Sequence, residues 1–300
     1  MINLNKKLFL FILSFFFIKC AQNESEAFFS IVTWNIEIFP KNENTINLLA
    51  ELMIEIDADV YSLQEITNTN YFNQLINKIN DLDALNSWSG FRSGDENSPY
   101  QELAYIIKTS LIKINQNPYT ILNDDYYYFA YREPFLINLS YMNNSFFIIN
   151  NHFKCCGDGY LDNENSSDEE YRRKKASELL KNYVEENLPE EKVIIVGDLN
   201  DELTDIVSNN VFNSFLNDPL NFLFVDMEIA IGTETNWSFP SWPSHLDHIL
   251  ITNELYNIFN DSRSIVKTIH AANYFNGGIN EYDENISDHL PIMLKLKLNQ

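Results

Sequence analysis

Val193-Ile194-Ile195-Val196-Gly197-Asp198-Leu199-Asn200 is the stretch on which the reading of this chain turns. Four consecutive β-branched residues read as a strand, and the glycine, carboxylate and amide that follow place polar chemistry at its end. The same design recurs. Asn35 follows Ile31-Val32-Thr33-Trp34, Glu65 follows Val60-Tyr61-Ser62-Leu63-Gln64, and His152 follows Phe147-Ile148-Ile149-Asn150-Asn151. Asp288 and His289 precede Leu290-Pro291-Ile292. Strand ends gather at one edge of a sheet, so these side chains can share one site. Singly, each has an ordinary explanation: a turn hydrogen bond for an Asn or Asp, a satisfied structural role for a His. Five such positions in one context outweigh it.

Outward from these ends, apolar runs rich in β-branched and aromatic residues predict strands over Phe28–Trp34, Val60–Leu63, Leu103–Ile107, Tyr127–Ala130, Phe135–Tyr141, Phe146–Asn150, Val193–Val196, Leu246–Ile251 and Ile292–Leu298. Helical patterns lie between some of them, over Asn44–Ile56, Tyr71–Ile79 and Glu169–Glu186. In the last, Ala176, Leu179, Leu180, Tyr183 and Val184 share one face. Strands in runs, interrupted by a few helices, predict an α+β fold of two packed sheets flanked by helices rather than a doubly wound sheet. No Pro/Gly-rich linker or internal repeat divides residues 27–300, which read as one domain. The polar stretch Gly157–Glu170 reads as a solvated acidic loop without the regular spacing of a helix-loop-helix calcium site.

Of the 300 residues, 45% are hydrophobic, ample for a packed core and incompatible with disorder. The 43 acidic and 20 basic residues give a net charge of −23, which repels a polyanion at long range and lacks the basic footprint of a nucleic-acid binder. A phosphate substrate therefore requires metal ions or a local group of cations, for which Arg132, Lys154, Arg172 and Arg173 are candidates. Lys6 and Lys7, the apolar run Leu8–Ile18 and the polar stretch from Ala21 to Glu26 form an export signal over residues 1–20, too short to cross a bilayer as a stable helix. Cys20 resembles the lipidated cysteine of bacterial lipoproteins, although Lys19 occupies a position normally small. Secretion and attachment to a membrane through Cys20 both stay open. The adjacent Cys155 and Cys156 imply no disulfide framework; a strained bridge or a pair of partly buried thiols are the alternatives.

Eight short signatures occur in order between residues 30 and 298: Thr33-Trp34-Asn35, Leu63-Gln64-Glu65, Tyr100-Gln101-Glu102, Arg132-Glu133-Pro134, Asn150-Asn151-His152, Gly197 to Asp201, Leu246-Asp247-His248 and Ser287 to Pro291. With them the chain resembles the endonuclease/exonuclease/phosphatase superfamily, and within it the pancreatic-type deoxyribonucleases and secreted bacterial nucleases. The resemblance implies a four-layer sandwich of two mixed sheets flanked by helices. It implies Glu65 as principal ligand of Mg²⁺, or Mn²⁺ or Ca²⁺, helped by Asn35 and Asp288, oxygen donors that suit a hard cation. Glu37 matches a carboxylate that some members use for a second metal and others replace.

Phosphodiester hydrolysis needs a base for water, an acid for the leaving oxygen and positive charge on the phosphoryl oxygens. By the resemblance His152 pairs with Glu102 and His289 with Asp247, each carboxylate raising the pKa of its imidazole. Asp198 and Asn200 would orient water and phosphate, with Asp198 a rival base, and Arg132 would contact phosphate. His245, His248 and the aromatic segment Trp237–Trp242 depart from the pattern, the histidines as extra imidazoles and the segment as a stacking or self-packing loop. The expectation is an exported, monomeric, metal-dependent nuclease acting on DNA, or on RNA. A sphingomyelinase-like or inositol-phosphate phosphoesterase is the alternative, and a catalytically dead surface-binding lipoprotein is the reading from another class. Against that last one stand Glu65, His152, Asp198, Asn200, Asp247 and His289, all intact.

Overall fold

The structure, a computed structural model, describes residues 26–95, 98 and 100–298. The stretch Val193–Asp198 forms a strand, and all six of its residues are buried. Ile194 and Val196 face one apolar layer, Val193 and Ile195 another. A strand covered on both faces needs apolar side chains at every position, which is why the run is unbroken.

Among the described residues the strands are β1 (Ala27–Phe39), β2 (Val60–Ile66), β3 (Trp88–Arg92), β4 (Glu102–Lys108), β5 (Lys113–Thr120), β6 (Phe135–Tyr141), β7 (Asn144–His152), β8 (Val193–Asp198), β9 (Phe222–Phe224), β10 (Asp247–Thr252), β11 (Ile265–Thr268) and β12 (Ile292–Leu298). They make two six-stranded sheets, ordered β11-β12-β1-β2-β4-β3 and β5-β6-β7-β8-β10-β9. Each sheet has one parallel pair at its centre, β1 with β2 and β7 with β8, among antiparallel neighbours. Asn35, Glu65, His152 and Asp198 all lie at or near the carboxyl ends of these four central strands. Asp247 and Glu102 open strands antiparallel to them and His289 precedes another, so all arrive at the same edge.

Phe29, Ile31, Ile137, Ile148, Ile194 and Ile292 pack between the sheets. Helices α1 (Thr45–Ile56) and α2 (Thr69–Leu82) cover the outer face of the first sheet through Leu49, Met53, Phe72 and Leu75. Helix α3 (Glu169–Asn187) covers the second through Ala176, Leu180 and Val184, with Asp168 accepting from the Tyr171 N–H as its cap. This is the four-layer α+β sandwich expected.

The predicted strand Tyr127–Ala130 is instead a series of turns after the 3₁₀ turn Asn123–Asp125. Ala130 and Tyr131 adopt positive φ of 54° and 64°, which extended backbone excludes. The Arg172 guanidinium lies 4.2 Å from the centre of the Tyr127 ring and donates to that residue's carbonyl, holding the turns to α3.

Below the site the two sheets are joined by polar side chains as well as by oil. Asn150 on β7 donates across the gap to the carbonyls of Leu63 on β2 (2.9 Å) and Ala104 on β4 (3.1 Å). Its amide oxygen accepts from Gln64 Nε2 at 2.7 Å. Beside it the Tyr105 hydroxyl, on β4, lies 2.6 Å from the Phe135 carbonyl and accepts the Asn150 N–H at 3.0 Å. A buried amide with all its hydrogen bonds made fixes the spacing and register of the sheets where their ends carry the chemistry.

Candidate active site

Glu65 sits within a break in the β2 ladder between Leu63 and Ile66 and adopts φ of 68°. Bulges of this kind re-aim a side chain at a sheet edge. Its carboxylate accepts from Asn35 Nδ2 (3.2 Å), the Ile38 N–H (2.8 Å) and Gln101 Nε2 (3.1 Å), all neutral donors. Asn35 also donates to Asp198 at 2.9 Å, while its oxygen accepts the Glu37 N–H at 3.0 Å. Asn35 thus bridges two carboxylates and turns its oxygen to backbone, where a ligand oxygen was expected. The backbone N–H of Asp288 donates to Glu37 Oε2 at 2.9 Å, and Lys41 pairs with the same carboxylate.

Asp198 stands between two imidazoles, 3.5 Å from His152 Nε2 and 3.8 Å from His289 Nε2. His289 Nδ1 is 2.7 Å from Asp247 Oδ2, as expected of that pair. Burial opposes charge on His289, but Asp247 and Asp198 outweigh it and raise the pKa to about 10, so the ring is an imidazolium at neutral pH. Its backbone is held by Ser287 and by the Tyr282 hydroxyl, which donates to the His289 carbonyl.

The other expected pair is not formed. Glu102 is buried, but its carboxylate accepts from Ser93 (2.5 Å) and Ser98 and faces a neighbouring hollow. His152 Nδ1 is left without a hydrogen-bond partner among the described residues. With no carboxylate behind it, burial first, then the charges of Arg132 and His289, hold the His152 pKa well below its ordinary value, opposite to the expected direction. Two serines upstream of β4 take the carboxylate, and no strand pattern signals them.

Arg132 is also placed differently. It donates to the carbonyls of His152 (3.3 Å) and Phe153 (2.8 Å) and to Gln101 Oε1 (3.3 Å), none of them a carboxylate. Its charge reaches Glu65 and Asp198 from behind the His152 backbone instead of presenting a fork to the cleft. The other candidate cations are engaged in structure: Arg173 is buried between Glu170 and Asp201, Arg172 holds Tyr127, and Lys154 faces Glu169. Asn200, with φ of 55°, donates to the Phe153 carbonyl.

Asn35, Glu65, His152, Asp198, Asn200, Asp288 and His289 line one cleft of roughly 360 Å³, whose other walls include Phe239, Trp242, Cys155 and Cys156. Asp198 is raised to about 6 by burial and by Asp247, against the pull of His289. Asp288 is raised to about 7 by burial and by Glu37. Carboxylates crowded and half-neutralised in this way, with only neutral donors on Glu65, fit a hard divalent cation, to which Glu65 and Asp288 could offer oxygens.

His245 and His248 belong to a separate buried network around Asp226, a residue outside every sequence signature. His248 Nδ1 meets Asp226 at 2.6 Å and its Nε2 meets the Asp201 carbonyl at 2.9 Å, so both nitrogens donate and the ring is charged. His245 accepts from the Ser238 N–H and donates to Asp226, so it is neutral. Every ring nitrogen has its partner, which makes the cluster structural. In the aromatic segment Trp237 donates to the Ile229 carbonyl and Phe239 packs on His289, while Trp242 is 78% exposed. Cys20 and the export signal lie outside the described residues, and no described helix is long and apolar enough to cross a membrane.

The model of the Endonuclease/Exonuclease/phosphatase family matches residues 32–289, a span that holds every site residue above. The chain belongs to this family. Its members include metal-dependent phosphodiesterases and nucleases, and they use divalent metals, often Mg²⁺. Solved structures of similar fold include D. rerio TDP2 complexed with single strand DNA product, at 14% identity and TM-score 0.63, covering 91% of this chain and 100% of that one. The endonuclease/exonuclease/phosphatase from Bacteroides vulgatus follows at 13% and 0.62, covering 91% and 100%. The human Nocturnin catalytic domain with bound sulfate anion aligns at 16% and 0.58, covering 92% and 97%. A comparison with curated protein sequences finds no match.

Proposed function

We propose that this family member is an exported, divalent-metal-dependent phosphodiesterase that cleaves nucleic acid, DNA first. The observation that carries the catalytic reading is Asp198 lying between His152 and the charged His289–Asp247 pair, beside the crowded carboxylates of Glu65 and Asp288. A bound divalent cation would supply positive charge to a phosphoryl oxygen. Asp198, with a pKa near the operating range, takes the proton of the attacking water. The His289 imidazolium balances the charge that develops on phosphorus oxygens and delivers a proton toward the leaving oxygen. His152, neutral, offers Nε2 to the phosphate.

Support for a nucleic-acid substrate comes from the neighbouring hollow that Glu102 faces. Tyr100 stacks on Tyr131 with ring centres 6.3 Å apart, and Tyr126 lies 5.6 Å from Tyr131; all three are exposed and line that hollow, Tyr100 next in sequence to Gln101 and Tyr131 next to Arg132. Such faces accept bases without regard to sequence. The TDP2 structure solved with a single-stranded DNA product shares the fold. Export rests on the pattern of the first twenty residues, and an anchor through Cys20 belongs to the same proposal.

Exposed Trp242 at the cleft wall, together with the charge of −23, favours a second reading, a lipid phosphodiesterase. Plasmid nicking and sphingomyelin hydrolysis, each with Mg²⁺ and with excess chelator, separate the two. Nicking that needs metal, and falls at least about a hundredfold in His289→Ala and His152→Ala with the fold retained, is expected. Full activity in either variant or in chelator overturns the mechanism; sphingomyelin cleavage without nicking overturns the substrate.

A further inference from the structure

Two thiols line the cleft and take no part in phosphodiester chemistry. Cys155 and Cys156 are both exposed and free, with their sulfurs 3.0 Å apart and the S–H of Cys156 directed at Cys155. Lys154 Nζ stands 3.9 Å from the Cys155 sulfur. The backbone that presents them is held from below: buried Arg173 donates to the carbonyls of Lys154 at 2.8 Å and Cys156 at 2.6 Å. Gly157, at φ of 116°, leaves no room for a side chain, since a Cβ would sit 2.2 Å from Glu170 Oε1. Cys156 itself is left-handed, with φ of 69°. Two adjacent sulfurs are thereby fixed side by side on the wall that also carries His152 and Asn200.

We propose that Cys155 and Cys156 are a thiol–disulfide exchange site, taking low-molecular-weight disulfides as co-reactant and closing reversibly into a vicinal disulfide that slows turnover in the cleft. The bond stands on the geometry of the pair, and its effect on rate rests on the phosphodiesterase reading. The Cys156 S–H and the Lys154 ammonium both point at the Cys155 sulfur, which as thiolate attacks. It displaces one thiolate from the external disulfide and forms a mixed disulfide. Cys156 loses its proton and attacks the Cys155 sulfur, expelling the second thiolate. Two thiols of the chain are oxidised, the external disulfide is reduced to two thiols, and the two protons pass to them.

Neighbouring Cα atoms are about 3.8 Å apart across a trans peptide, inside the roughly 4.4 Å lower limit of ordinary disulfides. A bond between neighbours is accordingly strained and easily reduced, which suits a reversible device better than a permanent staple. Closure turns the 155–156 peptide, and the Phe153 carbonyl, two peptides upstream, is the one that receives both Arg132 and Asn200.

The full-length protein equilibrated over a series of glutathione disulfide to glutathione ratios, alkylated, digested and weighed tests this. The peptide holding both cysteines is expected to pass from doubly alkylated to unalkylated and lighter by two hydrogens. Nicking should fall at least fivefold in the same step and return with dithiothreitol, whereas the double variant Cys155→Ser with Cys156→Ser keeps its activity at every ratio. A peptide that stays alkylatable, or ends as a stable glutathione adduct, overturns the exchange site. Bond formation with undiminished nicking overturns its effect on the cleft. Nicking absent even from the fully reduced protein counts against the nuclease reading, while the peptide masses still decide the bond.

Discussion

His152 and His289 face the same cleft and titrate in opposite directions because one has a carboxylate at its second nitrogen and the other has none. The difference has a thermodynamic signature. The folded-state pKa of His289 is raised to about 10, so the folded chain binds more protons than the unfolded one from about 6.5 to about 10. Its stabilisation is complete below pH 6.5 and is lost as pH rises through 10. His152, depressed, acts only below 6.5 and in the other sense. Denaturant unfolding in chelator should therefore show stability declining from pH 6.5 to 10, with a shallower decline in His289→Gln; equal slopes would contradict a charged His289 in the fold. Gly197 is closed to a side chain by backbone. At φ of 150°, a Cβ there would meet the Asn151 carbonyl oxygen at 2.0 Å, beside His152. Gly197→Ala should cost about 3 kcal/mol or more in guanidinium unfolding and abolish hydrolysis. Site residues at strand ends were legible in the sequence because burial demands the apolar run and function supplies the polar terminus. Asp226 and the serines on Glu102 were not, since each is one short polar residue in irregular backbone, and only the fold brings it to its partner.

Strands β3, β5, β9 and β11 are the four edges of the two sheets, and they are the four that apolar patterning passes over. An edge strand is half covered, so its sequence carries little of the apolar signal: β5, Lys113 to Thr120, has no buried residue. The eight central strands, buried on both faces, were all located from their runs, and α1, α2 and α3 to within a few residues at each end. Tyr127–Ala130 shows the converse error, an aromatic run whose rings pack on Arg172 and on one another across turns. The polar bridge between the central strands is testable by itself. Asn150→Leu keeps the volume and removes the donors to Leu63 and Ala104, so a loss of about 2 kcal/mol or more is expected by chemical denaturation. A neutral result would assign the sheet spacing to the apolar layer alone.

At the scale of the whole molecule, the charge of −23 sets how a polyanion arrives. Arg172 and Arg173 are taken up in structure and Arg132 lies behind the backbone, so local cations do not cancel the field. Screening acts over about 10 Å at 0.1 M salt. At fixed free Mg²⁺, kcat/KM on long DNA should rise as ionic strength goes from about 0.01 to about 0.1 M, the reverse of a basic nuclease. A fall would place a cationic track on the surface. The joint made by Asn150, Gln64 and Tyr105 has a last consequence. Glu65 and His289 belong to one sheet and His152, Asp198 and Asp247 to the other, so the site is a seam, and this joint lies directly beneath it. The seam cannot loosen by degrees while the sheets stay clasped. On heating, catalysis should persist until the sandwich parts and then vanish together with near-ultraviolet dichroism, leaving no folded but inactive interval.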